Sequence, residues 1–213
     1  TTSRKLSIRG IVLGTNRLLP PDIRIVRGSR FEKAIKPRQQ KKEKTYQYLY
    51  WNAPITSPIL HEYSWHIRKP MNLDLAKIAL EALLGTHDFS AFRARGCGAR
   101  HARRTINSAS LIPHPTNKAL IALTIKGNAF VRHQIRIMGG TIAEICLGKR
   151  DPGDMSKLLI STKRSESGKT APAQGLTLLK VDLSIPEPLE TWPPENMDSP
   201  ALFPVLFDPE SLC

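Results

Sequence analysis

Apolar residues recur at helical spacing through the middle of the chain. Val131, Ile135, Met138, Ile142 and Ile145 share one face of a helix predicted over 129–147, with Gly148 as its stop and Lys149 and Arg150 near its negative end. Arg132 and Arg136 stand one turn apart on another face of that predicted helix. Gly139 and Gly140 would each cost roughly 1 kcal/mol relative to Ala inside a helix, so another backbone or a ligand is expected to pass close by. Taken alone, the segment reads either as the floor of a phosphate-facing site or as an amphipathic helix with a solvated basic face.

The same pattern reading places the other elements. Thr45 to Trp51 is β-branched and aromatic and predicts a strand closed by Asn52-Ala53-Pro54. Asn72 caps a helix whose predicted apolar face is Leu75, Ile78, Ala79, Ala82 and Leu83, stopped by Gly85. Thr105 to Ile112 and Lys118 to Lys126 are strand-like runs around Pro113-His114-Pro115-Thr116-Asn117, which predicts a hairpin. A shorter helix is expected over Asp154 to Ser161 and a last buried strand over Leu176 to Leu183, after which prolines dominate and the tail should be extended. Strand, helix, strand, strand, helix, strand is the α+β, ferredoxin-like (RRM-like) order of an antiparallel sheet with helices on one face. Such a sheet is expected to leave its other face free, where RNA often binds.

Charge sharpens this picture. The 213 residues carry a formal +14, and from Asp182 onward there are seven acids and no Lys or Arg, so residues 1 to 181 carry +21. A polyanionic partner is the default expectation for such a body. Residues 1 to 44 hold thirteen Lys or Arg against three acids, densest from Lys33 to Lys44, where a mobile basic loop is expected. Arg93, Arg95, Arg100, Arg103 and Arg104 fall within twelve residues with Gly96 and Gly98 between them, which suits binding of backbone phosphates, or else a solvated charge cluster. Cys97, Cys146 and Cys213 are too few and too scattered for a disulfide framework or a zinc site, and the six histidines show no paired metal-ligand spacing. A reducing compartment fits, with no metal implied. No stretch approaches the roughly 18 uninterrupted apolar residues that a membrane helix needs, and nothing at the start resembles a secretory signal.

Several segments, in order, resemble the TruA-type family of tRNA pseudouridine synthases. Leu18-Leu19-Pro20-Pro21-Asp22-Ile23 resembles the join between the family's two domains, and Lys44-Thr45-Tyr46-Gln47-Tyr48 its Arg-x-Tyr-x-Tyr strand. Leu84-Gly85-Thr86-His87-Asp88-Phe89-Ser90-Ala91-Phe92-Arg93 is a closer match. Asn128-Ala129-Phe130-Val131 with Ile135-Arg136 and Gly139-Gly140 resembles the Asn-x-Phe-x-x-x-Met-Val-Arg-x-x-x-Gly helix, and Thr170-Ala171-Pro172 with Gly175-Leu176 the closing Ala-Pro-x-x-Gly-Leu strand. Gln134 stands where Met is usual and Thr177 where an aromatic is common.

The resemblance implies a reaction in which a uridine is flipped into a cleft, its glycosidic bond is broken and the base is rejoined through carbon, without cofactor or metal. It implies that Tyr46 approaches the target base, or else is a core tyrosine, and that Arg136 pairs with the catalytic carboxylate, or else makes a phosphate or surface contact. RNA contacts are expected from Arg30, Lys42, Lys44, Arg93, Arg95, Arg100, Arg103, Arg104, Arg132 and His133. The family's essential Asp sits in an Arg-Thr-Asp-x-Gly-Val-His motif that this sequence lacks, so by collinearity that loop lies upstream of Thr1 or has been lost. The expected organisation is the end of a first domain over 1–26, a basic insert over 27–44, the family's C-terminal domain over 45–185 and an acidic Pro-rich tail over 186–213 that wraps the body or meets a partner. Two functions follow: an RNA uridine isomerase acting on tRNA or other structured RNA, or a catalytically silent relative that binds rRNA as an assembly factor or resident of a ribosomal particle. A generic basic nucleic-acid-binding domain would leave the ordered motifs as coincidence. A homodimer is the further partner expected, and the basicity suits an organelle such as the mitochondrion, with cytoplasm and nucleus as alternatives.

Overall fold

The computed structural model describes residues 6–193. In chain order the elements are helix α1 (Ile8–Leu18), strand β1 (Gly28–Arg30), the short helix α2 (Pro37–Gln40), β2 (Lys41–Asn52), β3 (Trp65–Ile67), α3 (Ala76–Ala82), β4 (Gly85–Asp88), β5 (Arg103–Pro113), β6 (Leu120–Gly127), α4 (Gln134–Cys146), α5 (Asp154–Ser161), β7 (Leu176–Leu183) and β8 (Glu190–Trp192). They form two compact units, residues 6–40 with 183–193, and residues 41–182. The expected tail continues over 194–213, which lies outside the described residues.

In the larger unit the six-stranded sheet runs β3-β2-β6-β5-β4, with β7 also pairing β2. Taking β2, β5, β6 and β7 as the four strands of the predicted order, their arrangement β7-β2-β6-β5 is the split βαβ topology of a ferredoxin-like domain. β2 is long enough, at twelve residues, to take β3 in parallel at its end, from Tyr50 opposite Trp65 to Asn52 opposite Ile67. β3, β4 and β8 have three or four residues each and carry no periodicity that sequence reading could detect.

One face of the sheet builds the core. Tyr46, Tyr48 and Tyr50 of β2 lie opposite Ile125, Leu123 and Ile121 of β6. Tyr48, Tyr50 and the three β6 residues pack in one cluster with Ala76 and Ala79 of α3 and Met138, Ile142 and Ile145 of α4. The alternate residues belong to the opposite face, and there the expectation of a free surface fails: Gln47, Leu49, Ala122 and Thr124 are all buried, and Gln47 Nε2 donates to Thr124 Oγ1 at 3.3 Å. A base has no stacking platform at the centre of that face.

Three predicted boundaries shift, each for a local reason. α4 begins at Gln134, not 129, because His133 adopts a left-handed conformation (φ 61°) and Gln134 Oε1 accepts the Val131 N–H at 2.9 Å. Arg132 therefore lies in the loop before the helix and does not share a helical face with Arg136. α3 is preceded by a tighter 3₁₀ turn, Leu73–Leu75, in which Asn72 Oδ1 accepts the Asp74 N–H at 3.1 Å. Three residues per turn there rotate the stripe, so Ile78 is 59% exposed while Leu80 is buried. The basic run is not a loop throughout, since α2 and the start of β2 occupy 37–44; Lys44 lies opposite Gly127, and Glu43 pairs with Lys126 at 3.2 Å and accepts from Asn107.

In the smaller unit Ile8 and Val12 of α1 are buried and close on Gly28, where a Cβ would sit 2.8 Å from a methyl of each. β1 pairs antiparallel with β8, so the Pro-rich segment is extended as far as it is described. Asn16 brackets Ile25, donating to its carbonyl at 2.7 Å and accepting its N–H at 2.8 Å.

Of the two glycines of α4, Gly140 meets backbone and Gly139 meets the side chains of Tyr50, Leu123 and Tyr48. A Cβ on Gly140 would lie 1.8 Å from the Lys169 carbonyl oxygen, whereas one on Gly14, inside the exposed part of α1, would meet nothing within 4 Å. Gly140→Ala is expected to destabilise the protein by about 3 kcal/mol, because two backbones must part. Gly14→Ala should add about 1 kcal/mol through helix propensity. Thermal melts of the two variants check both values.

Candidate functional site

The site grows from the junction of β2, the loop before α4, and the first turn of α4. Tyr46, Phe130, Val131, Arg132, His133, Gln134, Ile135, Arg136 and Leu176 line a cavity of about 250 Å³. Tyr46 reaches it because β2 alternates sides, and Phe130 meets the Tyr46 ring edge to face, with centroids 5.2 Å apart and planes at 87°. Burial raises the Tyr46 pKa above its ordinary value, so the side chain stays a neutral phenol.

Arg136 is held at both ends of its residue. Its Nε donates to the Ala171 carbonyl at 2.8 Å, and the Ala171 N–H donates to the Arg136 carbonyl at 3.0 Å. Its terminal nitrogens make no hydrogen bond among the described residues and remain for an anion at the cavity. His133 is half-buried; desolvation first, then the charges of Arg136 and Arg132, hold its pKa below the ordinary value, so near neutral pH the imidazole is uncharged. No carboxylate lines the cavity among the described residues.

A second hollow, of about 530 Å³, is lined by Ser90, Arg93, Ala94, Arg95, Gly96, Cys97 and Arg164. Arg93 spends one terminal nitrogen on the carbonyls of Cys97 and Ala99, at 2.7 and 2.6 Å, which shapes the loop. Arg164 is tied to Ser167, Gly168 and Thr170. Arg132 links the two hollows: its N–H donates to Cys97 Sγ at 3.4 Å and its carbonyl accepts the Ala94 N–H at 3.0 Å.

Of the expected site residues, Tyr46, Arg132, His133 and Arg136 come together, and Arg93 and Arg95 adjoin them through the Arg132 loop. The others line neither hollow. Arg103 and Arg104 are strand residues opposite Asp88 and His87, Arg100 is exposed beside them, and Lys42 and Lys44 lie on β2. Arg30 belongs to the smaller unit, where it pairs with Glu190 at 3.3 Å and donates to the Leu6 carbonyl. The sequence assigned no role to Phe130 or Leu176 in the first hollow or to Arg164 in the second, although Phe130 and Leu176 stand in the Asn-x-Phe and Ala-Pro-x-x-Gly-Leu motifs.

Fold and site define an α+β domain with an aromatic cavity rimmed by cations. A family model described as tRNA pseudouridine synthase matches residues 79–183. The tRNA pseudouridine synthase A of Pelobacter propionicus is 36% identical over 181 residues, covering 85% of this chain and 73% of that protein. Those of Myxococcus xanthus and Geotalea uraniireducens are each 36% identical, over 178 and 180 residues, covering 84% of this chain and 66% and 72% of their own lengths. The chain belongs to the tRNA pseudouridine synthase family.

The two described cysteines should separate chemically. Cys97 is half-exposed, and the Arg132 N–H, followed by the Ala99 N–H and Arg93, holds its thiol below the ordinary value of 9.0. Cys146 is buried, and desolvation pushes its thiol up to about 12. Iodoacetamide should modify Cys97 with a pH midpoint below 9.0 and leave Cys146 intact until the protein unfolds, as read by peptide mass spectrometry.

Proposed function

We propose that this chain converts a uridine in tRNA or another structured RNA to pseudouridine, with the base seated between Tyr46, Phe130 and Leu176. The observation that carries the proposal is the convergence of those groups with Arg136 and Arg132 in one cavity, all of whose lining residues but Tyr46 fall within the family match. The names of the relatives point to tRNA as substrate.

The chemistry is an isomerisation: the bond from N1 to C1′ breaks, a bond from C5 to C1′ forms, the C5 hydrogen leaves as a proton, and the freed N1 takes up a proton. Nothing is oxidised or reduced. Tyr46 presents a ring edge and a neutral hydroxyl to the base, which needs no charge there. Arg136, fixed by Ala171, supplies a counter-charge that keeps a carboxylate ionised and oriented. That carboxylate must reach the cavity from outside the wall formed by the residues that line it. Arg132 and the Arg95 loop hold flanking phosphates.

The cavity's lack of a carboxylate among the described residues favours one second reading, an RNA-binding relative without catalysis. Tritium release from tRNA carrying 5-tritiated uridine separates the two. The isomerase releases tritium, and Arg136→Ala lowers the rate by about 100-fold or more. RNA binding without release selects the silent relative. In either case affinity falls with salt at a slope of about 0.7 to 0.9 per neutralised phosphate, and Arg95→Ala reduces the total slope by about one. Salt-insensitive binding would overturn both.

A further inference from the structure

Arg164 lines the second hollow, yet it spends its guanidinium inside the chain. It stands in the 3₁₀ turn Arg164–Glu166 that follows α5, and it is half-buried. Nη1 donates to Ser167 Oγ at 2.8 Å and to the Gly168 carbonyl at 3.1 Å, while Nη2 donates to Thr170 Oγ1 at 3.0 Å. One planar fork thus grips three residues of the segment 167–171 at once, which the point charge of a lysine does not reproduce. The Ser167 hydroxyl extends the grip to the Ala91 carbonyl, at 2.7 Å. Arg95, on the same hollow, is exposed and makes no hydrogen bond among the described residues, so it is the arginine left open to a phosphate.

The gripped segment leads straight to the residue that orders Arg136. Ala171 follows Thr170 and is buried, and its carbonyl accepts the Arg136 Nε–H at 2.8 Å. An acceptor orders a donor only as far as it is itself held. α4 bonds to the N–H groups of Gly168, Lys169 and Ala171. Arg164 bonds to different atoms, the Gly168 carbonyl and the side-chain oxygens of Ser167 and Thr170, so its hold adds to that of the helix instead of duplicating it. We infer that Arg164 is a positioning residue: it fixes Thr170, and through it the Ala171 carbonyl, and so keeps the Arg136 guanidinium in place at the first cavity. What Arg136 is positioned for rests on the function proposed above; the positioning itself does not.

The test follows the Arg136 Nε–H by nuclear magnetic resonance, its signal assigned by loss in Arg136→Lys. In the unaltered chain this proton should exchange with solvent more slowly than that of Arg95. Arg164→Lys keeps the charge and removes the fork; it should speed the exchange about fivefold or more, the size expected for one hydrogen bond, while the backbone amides of β6 exchange as before. Thr170→Val removes the acceptor next to Ala171 and leaves Arg164 in place, so it serves if the lysine variant misfolds, and it should act in the same direction. An Arg136 signal that stays protected in the folded variants overturns the inference. So does an acceleration shared equally by the β6 amides, which marks Arg164 as a general structural residue. Tritium release distinguishes this from the reading it rests on. If the unaltered chain releases tritium, Arg164→Lys should slow release about fivefold or more at unchanged RNA affinity, with no further loss in the Arg136→Ala background; losses that add there overturn the route through Arg136. A protected Nε–H without any tritium release removes the isomerisation and leaves the positioning standing.

Discussion

The larger unit depends on the close approach of residues 168–172 to the helix α4. Along one stretch of that helix each turn receives a bond from this segment. The Ala171 N–H meets the Arg136 carbonyl at 3.0 Å, the Gly168 N–H meets Thr141 Oγ1 at 3.0 Å, and the Lys169 N–H meets Glu144 Oε1 at 3.2 Å. Arg136 returns a bond to Ala171, and the Tyr48 hydroxyl donates to the Pro172 carbonyl at 2.8 Å. The approach needs a bare glycine on each side: a Cβ on Gly140 would lie 1.8 Å from the Lys169 carbonyl oxygen and one on Gly168 2.8 Å from Thr141 Cα, while one on Gly139 would lie 3.0 Å from the Tyr50 hydroxyl. Three N–H groups of a segment with little regular structure are thereby paired, which is what allows Gly168 and Ala171 to be buried.

The same lacing orders the guanidinium of Arg136. A guanidinium on a free surface samples many rotamers, and ordering it costs about 2 kcal/mol of side-chain entropy on binding. At Arg136 that ordering is already done by the Ala171 carbonyl, and the terminal nitrogens are left over. Next to it the Tyr48 phenol is driven well above its ordinary pKa by burial, with the Arg136 charge opposing, so the arginine's field is not spent on a phenolate. The charge remains directed at the cavity.

What the sequence displayed follows from which forces act locally. The apolar stripe Ile135, Met138, Ile142 and Ile145 needs only the helical period to be legible, and Asp154–Ser161 matches its predicted span for the same reason; Leu176–Leu183 matches its predicted span as a strand, but it is not the buried strand expected, since Leu178 is 45% and Val181 38% exposed. The start of α4 was not legible, because it is set by one side-chain bond from Val131 to Gln134 and one left-handed residue. The outward turn of Ile78 depends on a 3₁₀ turn that propensity does not announce. The burial of Gln47 and Thr124 contradicts their polarity and could come only from tertiary structure. In the site, Tyr46 and Arg136 were legible through family resemblance, whereas Arg164, far along the chain from Arg93, is brought to the same hollow by packing alone.

The two glycine-associated features of the family motif thus do different work. Gly140 admits the Lys169 backbone beside Arg136 and Gly139 packs under the Tyr50 side chain, while the loop just before the helix lines the cavity. That loop is made stiff on both sides, since Arg132 bonds to Cys97 and Ala94 while Val131 bonds to Gln134. A base between Tyr46 and Phe130 and a phosphate near Arg95 would therefore meet one continuous surface. Movement of the 94–97 loop would carry the Arg132 main chain with it, and through Val131 would disturb the amide of Gln134. The 94–97 loop and the start of α4 are in this way mechanically coupled through three residues, Val131, Arg132 and Gln134.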